Sequence, residues 1–250
     1  MQQLATWAQE AARLAAPSAD FWSVRGVVES SQFRRQSTFS FGAFQSEHKQ
    51  PFGRLYGLNE ETLGGGHEVA LPVAQDSYVL LLPITGTVAY GTGGGAHGTV
   101  EVGAVLTLAA PAGTLLQLRN PYADEVISCL HLWVRATAPL TPATGRETVF
   151  QELRTNELLA LVGLRAPDQL PGGPKLPFSL SLGRFMGRQE AVYKLAQPGN
   201  RVIAFVLAGA FELESRLLHE KDALALWDVE ELELEALSNH AIVLLLELQA

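Results

Sequence analysis

The sequence predicts an all-β chain of two antiparallel barrels, and three observations carry that prediction. Apolar or alternating runs of strand length recur through residues 23–134 and again through 178–248, separated by Gly, Pro and Asn turns. The halves echo each other. Gly86 and Gly209 each sit between two strands, and Gly103-Ala104-Val105-Leu106 parallels Asp222-Ala223-Leu224-Ala225-Leu226 as a turn into a strand, as a duplicated unit would give. Finally, residues 136–177 hold a run of prolines and glycines that divides the chain. The expected division is an N-terminal helix over 1–20, a barrel over 21–137, a linker with a short helix over 138–177 and a barrel over 178–250.

Taken in order, Leu4, Trp7, Ala11 and Leu14 recur at helical spacing, and Pro17 ends that pattern. The segment has no basic start and no continuous apolar stretch, so it reads as a helix packed on a barrel rather than a signal peptide or membrane anchor. Strands are expected over 23–29, 38–44, 55–58, 68–71 and 77–84, then beyond Gly86 over 87–90. A glycine loop over 91–98 leads to strands over 105–108, 115–118 and 126–134. Within 147–164, Val149, Phe150, Leu153, Leu158, Leu161 and Val162 recur at helical spacing. Strands return from 178 onward, the last two over 231–237 and 241–248, and in Glu231-Leu232-Glu233-Leu234-Glu235 the carboxylates form one solvated face.

Composition excludes several function classes. The chain has 250 residues, 47% hydrophobic and 18% charged, with a formal net charge of −8. That balance disfavours the nucleic-acid backbone, which needs clustered Lys and Arg, and the one local basic pair is Arg34-Arg35. No stretch approaches the roughly 18 apolar residues of a spanning helix, so neither nucleic acid nor membrane is an expected partner, and a cytoplasmic location is expected. Cys129 is the only cysteine, which rules out an internal disulfide and a thiolate zinc site. Within 126–130 it reads as a buried core residue. There is no Ser-His-Asp pattern, and the 91–98 loop lacks the lysine and flanking helix of a phosphate cradle.

The stretch over 103–120 is the most informative. Gly103, Pro111, Gly113 and Asn120 have the spacing of the second conserved motif of the cupin barrels, double-stranded β-helices of jelly-roll type. Gly183-Arg184-Phe185, Gly187-Arg188, Arg216-Leu217-Leu218, Asp222-Ala223-Leu224-Ala225-Leu226-Trp227 and Glu233-Leu234-Glu235-Ala236-Leu237 add to the match. Together these resemble the pirin-like bicupins, whose tail is the quercetinase C-terminal cupin. The resemblance implies two barrels with a mononuclear iron or other divalent metal in the first, held by a His-x-His pair, a later His and a carboxylate. It also implies either dioxygenase chemistry on a quercetin-like substrate or a protein-interaction role.

Carried onto this sequence, the paired-histidine positions fall at Pro72 and Ala74, the acidic position at Tyr78, the later histidine at Leu116 and the carboxylate two residues on at Leu118. None can ligate a metal, which needs imidazole nitrogens converging at about 2 Å. His67 and His131 remain as candidate ligands. The expectation is therefore a bicupin without a cofactor and without catalysis, binding a small apolar ligand or serving as a scaffold. The alternatives are a metal-dependent dioxygenase using iron or a similar ion, and a module that binds a protein partner.

Overall fold

A computed structural model describes residues 18–23, 25–93, 95–140, 145–150, 153–163 and 176–250. The expected helix falls mainly on residues 1–17, outside the described residues, and Ser18 already begins a strand. The first half contains β1 (Ser18–Trp22), β2 (Gly26–Ser30), β3 (Phe33–Ser37), β4 (Leu55–Leu63), β5 (Glu68–Pro72), β6 (Ser77–Thr85), β7 (Val88–Thr92), β8 (His97–Val100), β9 (Ala104–Ala110), β10 (Leu115–Arg119) and β11 (Ile127–Arg135). It is followed by β12 (Gly145–Val149) and β13 (Glu157–Val162). The second half contains β14 (Phe178–Phe185), β15 (Glu190–Lys194), β16 (Arg201–Ala208), β17 (Ala210–Leu213), β18 (Arg216–His219), β19 (Ala223–Trp227), β20 (Glu231–Ala236) and β21 (Ala241–Leu248).

The strand order makes the duplication explicit. In the first half β9-β6-β11-β4 form one sheet and β5-β10-β7-β8 the other; in the second, β19-β16-β21-β14 and β15-β20-β17-β18 repeat that order. All of these pairs are antiparallel. Gly86 and Gly209 occupy equivalent junctions, β6 to β7 and β16 to β17, with φ of 69° and 77°. A side chain at either would sit in the left-handed region and meet Ile127 or Ser238, so both positions require glycine.

Each large sheet is extended at both edges. β12 pairs with β9, and β3 with β2 extends the β4 edge. In the second barrel β13 pairs with β14, and β1, from before the first barrel, pairs with β19. The second sheet is thus completed by a strand from the opposite end of the chain. The helix expected within 147–164 is not formed: β12 and β13 occupy that span. Its periodicity arose because the apolar residues serve different places. Leu161 and Val162 enter the core between the large sheets, Leu158 packs on the second barrel's interior, and Val149 is exposed. The strand expected over 38–44 is also absent, apart from a single bridge between Phe41 and Phe44.

Alternation assigns the two faces of each large sheet. From β6, Tyr78, Leu80 and Leu82 face the inter-barrel core while Val79 and Leu81 face the first barrel. From β11, Leu130, Leu132 and Val134 face outward to that core, and Cys129 and Trp133 face inward. The second half behaves alike, with Ile203 and Phe205 outward and Val202, Ala204 and Val206 inward. Burial on both faces explains why these strands read as continuous apolar runs. At the rim of the seam, Glu60 joins the barrels: one carboxylate oxygen takes Arg25 at 3.1 Å and the other takes Lys221 at 3.0 Å. Among the described residues no helix is long and apolar enough to cross a membrane.

Candidate functional site in the first barrel

The 103–120 stretch folds as the turn its residues demand. Gly103 and Gly113 adopt φ of 91° and 84°, and the Gly113 N–H donates to Val73 O, which closes the turn against the end of β5. Asn120 is fully buried and acts as a hub. Its amide donates to the carbonyls of Leu63, Gly64 and Glu125 at 3.0, 3.0 and 2.7 Å, and its Oδ1 accepts the Tyr122 N–H at 2.9 Å. The motif asparagine therefore ties the backbone at Leu63 and Gly64 to that at Tyr122 and Glu125, with Gly64 O also taking the His67 N–H of its own turn.

The five positions carried over from the family distribute unevenly. Leu116 and Leu118 on β10 point into the first barrel, fully buried, with Leu116 opposite Leu71 and Thr92 across the neighbouring strands. Pro72 and Ala74 are exposed, while Leu71 and Val73 face the interior. Tyr78 faces the second barrel, its ring 5.8 Å from Phe178, and Val79 faces the interior in its place. This corrects the placement of Pro72, Ala74 and Tyr78: a slip of one residue exchanges the two faces of a strand. Neither register puts a histidine or a carboxylate at these inward positions. Leu71, Val73, Val79, Leu116 and Leu118 offer no donor atom, so they do not fit the divalent metal that the fold family implies.

The two histidines are not brought together as a metal pair. His67 is half-buried beside Phe33, ring centroids 6.0 Å apart, and its carbonyl accepts the Asn120 N–H, so it belongs to the turn. His131 lies on β11 inside the barrel with both ring nitrogens engaged. The Trp133 indole N–H donates to Nδ1 at 2.6 Å, and Nε2 lies 2.9 Å from Glu61 Oε1. Indole nitrogen can only donate, so Nδ1 carries the lone pair and Nε2–H donates to Glu61. No group of three or more His, Cys, Asp or Glu able to hold a metal occurs among the described residues.

Buried polar groups of this barrel gather on the β3–β4–β11 wall, of which His131 alone is a candidate from the sequence. Arg35 Nε donates to the same Glu61 oxygen, and the Arg35 guanidinium lies over Phe33 and Phe41, at 5.2 and 5.4 Å from their centroids. Phe41 also packs 5.3 Å from Trp133 and 5.8 Å from His131. It has room because Gly57, opposite Trp133, carries no side chain to displace the two rings. Ser37 and Asn59 continue the polar wall: Ser37 faces Asn59 across β3 and β4, and Asn59 faces His131 across β4 and β11. An available signal was the alternation Phe33-Arg35-Ser37 against Gly57-Asn59-Glu61-Leu63, which puts polar groups on a face whose ends are apolar.

Burial governs the electrostatics here. It lowers the His131 pKa, outweighing the opposing hydrogen bond to Glu61, and the Arg35 and Arg25 charges push the same way. Burial raises the Cys129 thiol, with Glu61 adding to the effect, so Cys129 is an inert core residue. A histidine kept neutral in the fold binds fewer protons than in the unfolded chain, whose value is near 6.5. The stability it contributes is full above that value and declines as pH falls through 6.5 toward the lowered folded value. Unfolding free energies from urea titrations between about pH 7.5 and about pH 5 should fall more steeply for the native chain than for His131→Gln, by at most about 1.4 kcal/mol per pH unit.

Two barrels with one strand order, the first carrying the Gly-Pro-Gly-Asn turn, give a bicupin fold of the pirin-like type. Residues 178–248 match the family model of the quercetinase C-terminal cupin domain. No curated protein matches the sequence. YhhW from Escherichia coli has the same fold, with a TM-score of 0.80 at 19% identity over 92% of this chain and 97% of its own. The bacterial pirin YhhW from Escherichia coli in complex with nickel(II) gives 0.79 at 20% identity, over 93% and 99%. Quercetin 2,3-dioxygenase from Acinetobacter baumannii gives 0.71 at 18% identity, over 92% and 85%.

Proposed function

We propose that this chain is a non-catalytic bicupin whose first barrel works without a metal ion, as a binding protein for a small ligand. One observation carries the reading: Leu71, Val73, Val79, Leu116 and Leu118 line the interior at and beside the positions where the family places its ligands. A divalent cation there would lose its hydration shell without gaining a donor. His131, buried in the barrel wall, would have to abandon Glu61 or Trp133 to coordinate anything.

A second reading, a metal-dependent dioxygenase, is favoured by the fold likeness to quercetin 2,3-dioxygenase from Acinetobacter baumannii. The two separate in an oxygen electrode. Purified chain supplied with iron(II), nickel(II), copper(II) or manganese(II) in turn should consume no oxygen on quercetin above the metal-only control. Uptake that follows one metal and scales with protein concentration would select the dioxygenase.

A further inference from the structure

The buried polar wall of the first barrel carries more hydrogen-bonding capacity than its neighbours use. Asn59 is fully buried at the middle of β4, and neither its Nδ2 nor its Oδ1 has a partner among the described residues. The same holds for Ser37 Oγ and Glu61 Oε2, both also buried. These residues are neighbours in the sheet: Ser37 lies opposite Asn59, and Glu61 follows two residues along the same face of β4. The row then continues through His131 to Leu81 and Leu106, so the polar end passes into an aliphatic one. Buried polar groups in folded proteins are nearly always paired, and four unpaired atoms on one wall mark a place for a polar guest.

We propose that this wall binds a small neutral molecule through a carboxamide group; the proposal rests on the reading of the first barrel as a metal-independent binding chamber. The donor and acceptor pattern selects the group. An amide NH2 supplies two donors, for Glu61 Oε2 and Asn59 Oδ1. Its carbonyl accepts from Asn59 Nδ2 and the Ser37 hydroxyl, while its alkyl part lies toward Leu81 and Leu106. Charge selects neutrality. Arg35 and Glu61 offset each other, and His131 is neutral because Trp133 occupies its Nδ1. An anion would face the free oxygen of Glu61, and a cation would leave a net positive charge buried.

Acetamide, acetate and acetamidinium have one shape and three charges, which makes them the test set. Titrated into the full-length chain at matched ionic strength, acetamide should shift the Trp133 indole N–H resonance saturably and raise the melting temperature, and the two ions should do neither. Asn59→Leu keeps the volume and removes the unpartnered amide, so it should fold at least as stably while binding acetamide at least tenfold more weakly. Ser37→Ala should weaken binding by less. Equal responses to all three probes, no response to acetamide, or undiminished binding by a folded Asn59→Leu variant would overturn the proposal. Metal content measured on the same samples separates the outcomes: a metal-loaded barrel contradicts the broader reading, whereas a metal-free barrel indifferent to acetamide contradicts this proposal alone.

Discussion

Glu61→Ala should cost about 3–5 kcal/mol of folding stability, among the largest effects expected of a single substitution in this chain. The loss does not come from a strong native attraction, since a buried ion pair gains little net energy once desolvation is counted. It comes from what remains: Arg35 is only 8% exposed, and alanine leaves its guanidinium and the His131 Nε2–H without their acceptor. Glu61→Gln keeps an acceptor and should cost less. Pairing Glu61→Leu with Arg35→Met should recover most of the deficit, because both charges then leave together. The exposed pair Arg34–Glu29, 3.7 Å apart, serves as the control, and Glu29→Ala should change stability by less than about 0.5 kcal/mol. Urea unfolding of the four variants reads the set directly.

Asn120→Ala should be nearly as damaging, at about 2–4 kcal/mol, for a different reason. Three backbone carbonyls and one N–H each lose a hydrogen bond together, with Gly64 O keeping only the His67 N–H. The turns it joins stay packed together, because the Gly66 N–H donates to Tyr122 O at 2.7 Å and Gly65 lies against the Ala123 backbone with no room for a side chain. Asn120→Asp is the sharper probe. It keeps the acceptor for Tyr122 N–H but sets carboxylate oxygens against three carbonyl oxygens, so it should be no better than alanine. A thermal melt in which Asn120→Asp matched the native chain would show that the hub is not held by amide donation.

The parts of this fold legible in the sequence are those fixed by local backbone chemistry. Gly103, Pro111, Gly113 and Asn120 mark a turn whatever lies around them, and Gly86 and Gly209 betray the repeat because each must adopt a positive φ at the same junction. Non-local pairing was not legible. Nothing near Ser18–Trp22 says that it closes a sheet built from residues some two hundred positions later, and β12 and β13 overrode a helical pattern because each finds an edge to extend. The barrel lining sat between these extremes. An ungapped count from Gly86 onto the family motif reaches Pro72, Ala74 and Tyr78, and a slip of one residue in such a count exchanges the two faces of a strand, so Leu71, Val73 and Val79 face inward instead. Arg35 and Glu61 escaped notice because a charged residue on a strand ordinarily faces water, and only the register brings these two together inside.

The aliphatic lining at Leu71, Val73, Val79, Leu116 and Leu118 is tested most directly by equilibrium dialysis of the purified chain against nickel(II) or iron(II), followed by elemental analysis. The predicted result is no ion retained in stoichiometric amount at neutral pH, with His131→Gln and His67→Ala indistinguishable from the native chain. One ion retained per chain, and lost on substitution of either histidine, would contradict it.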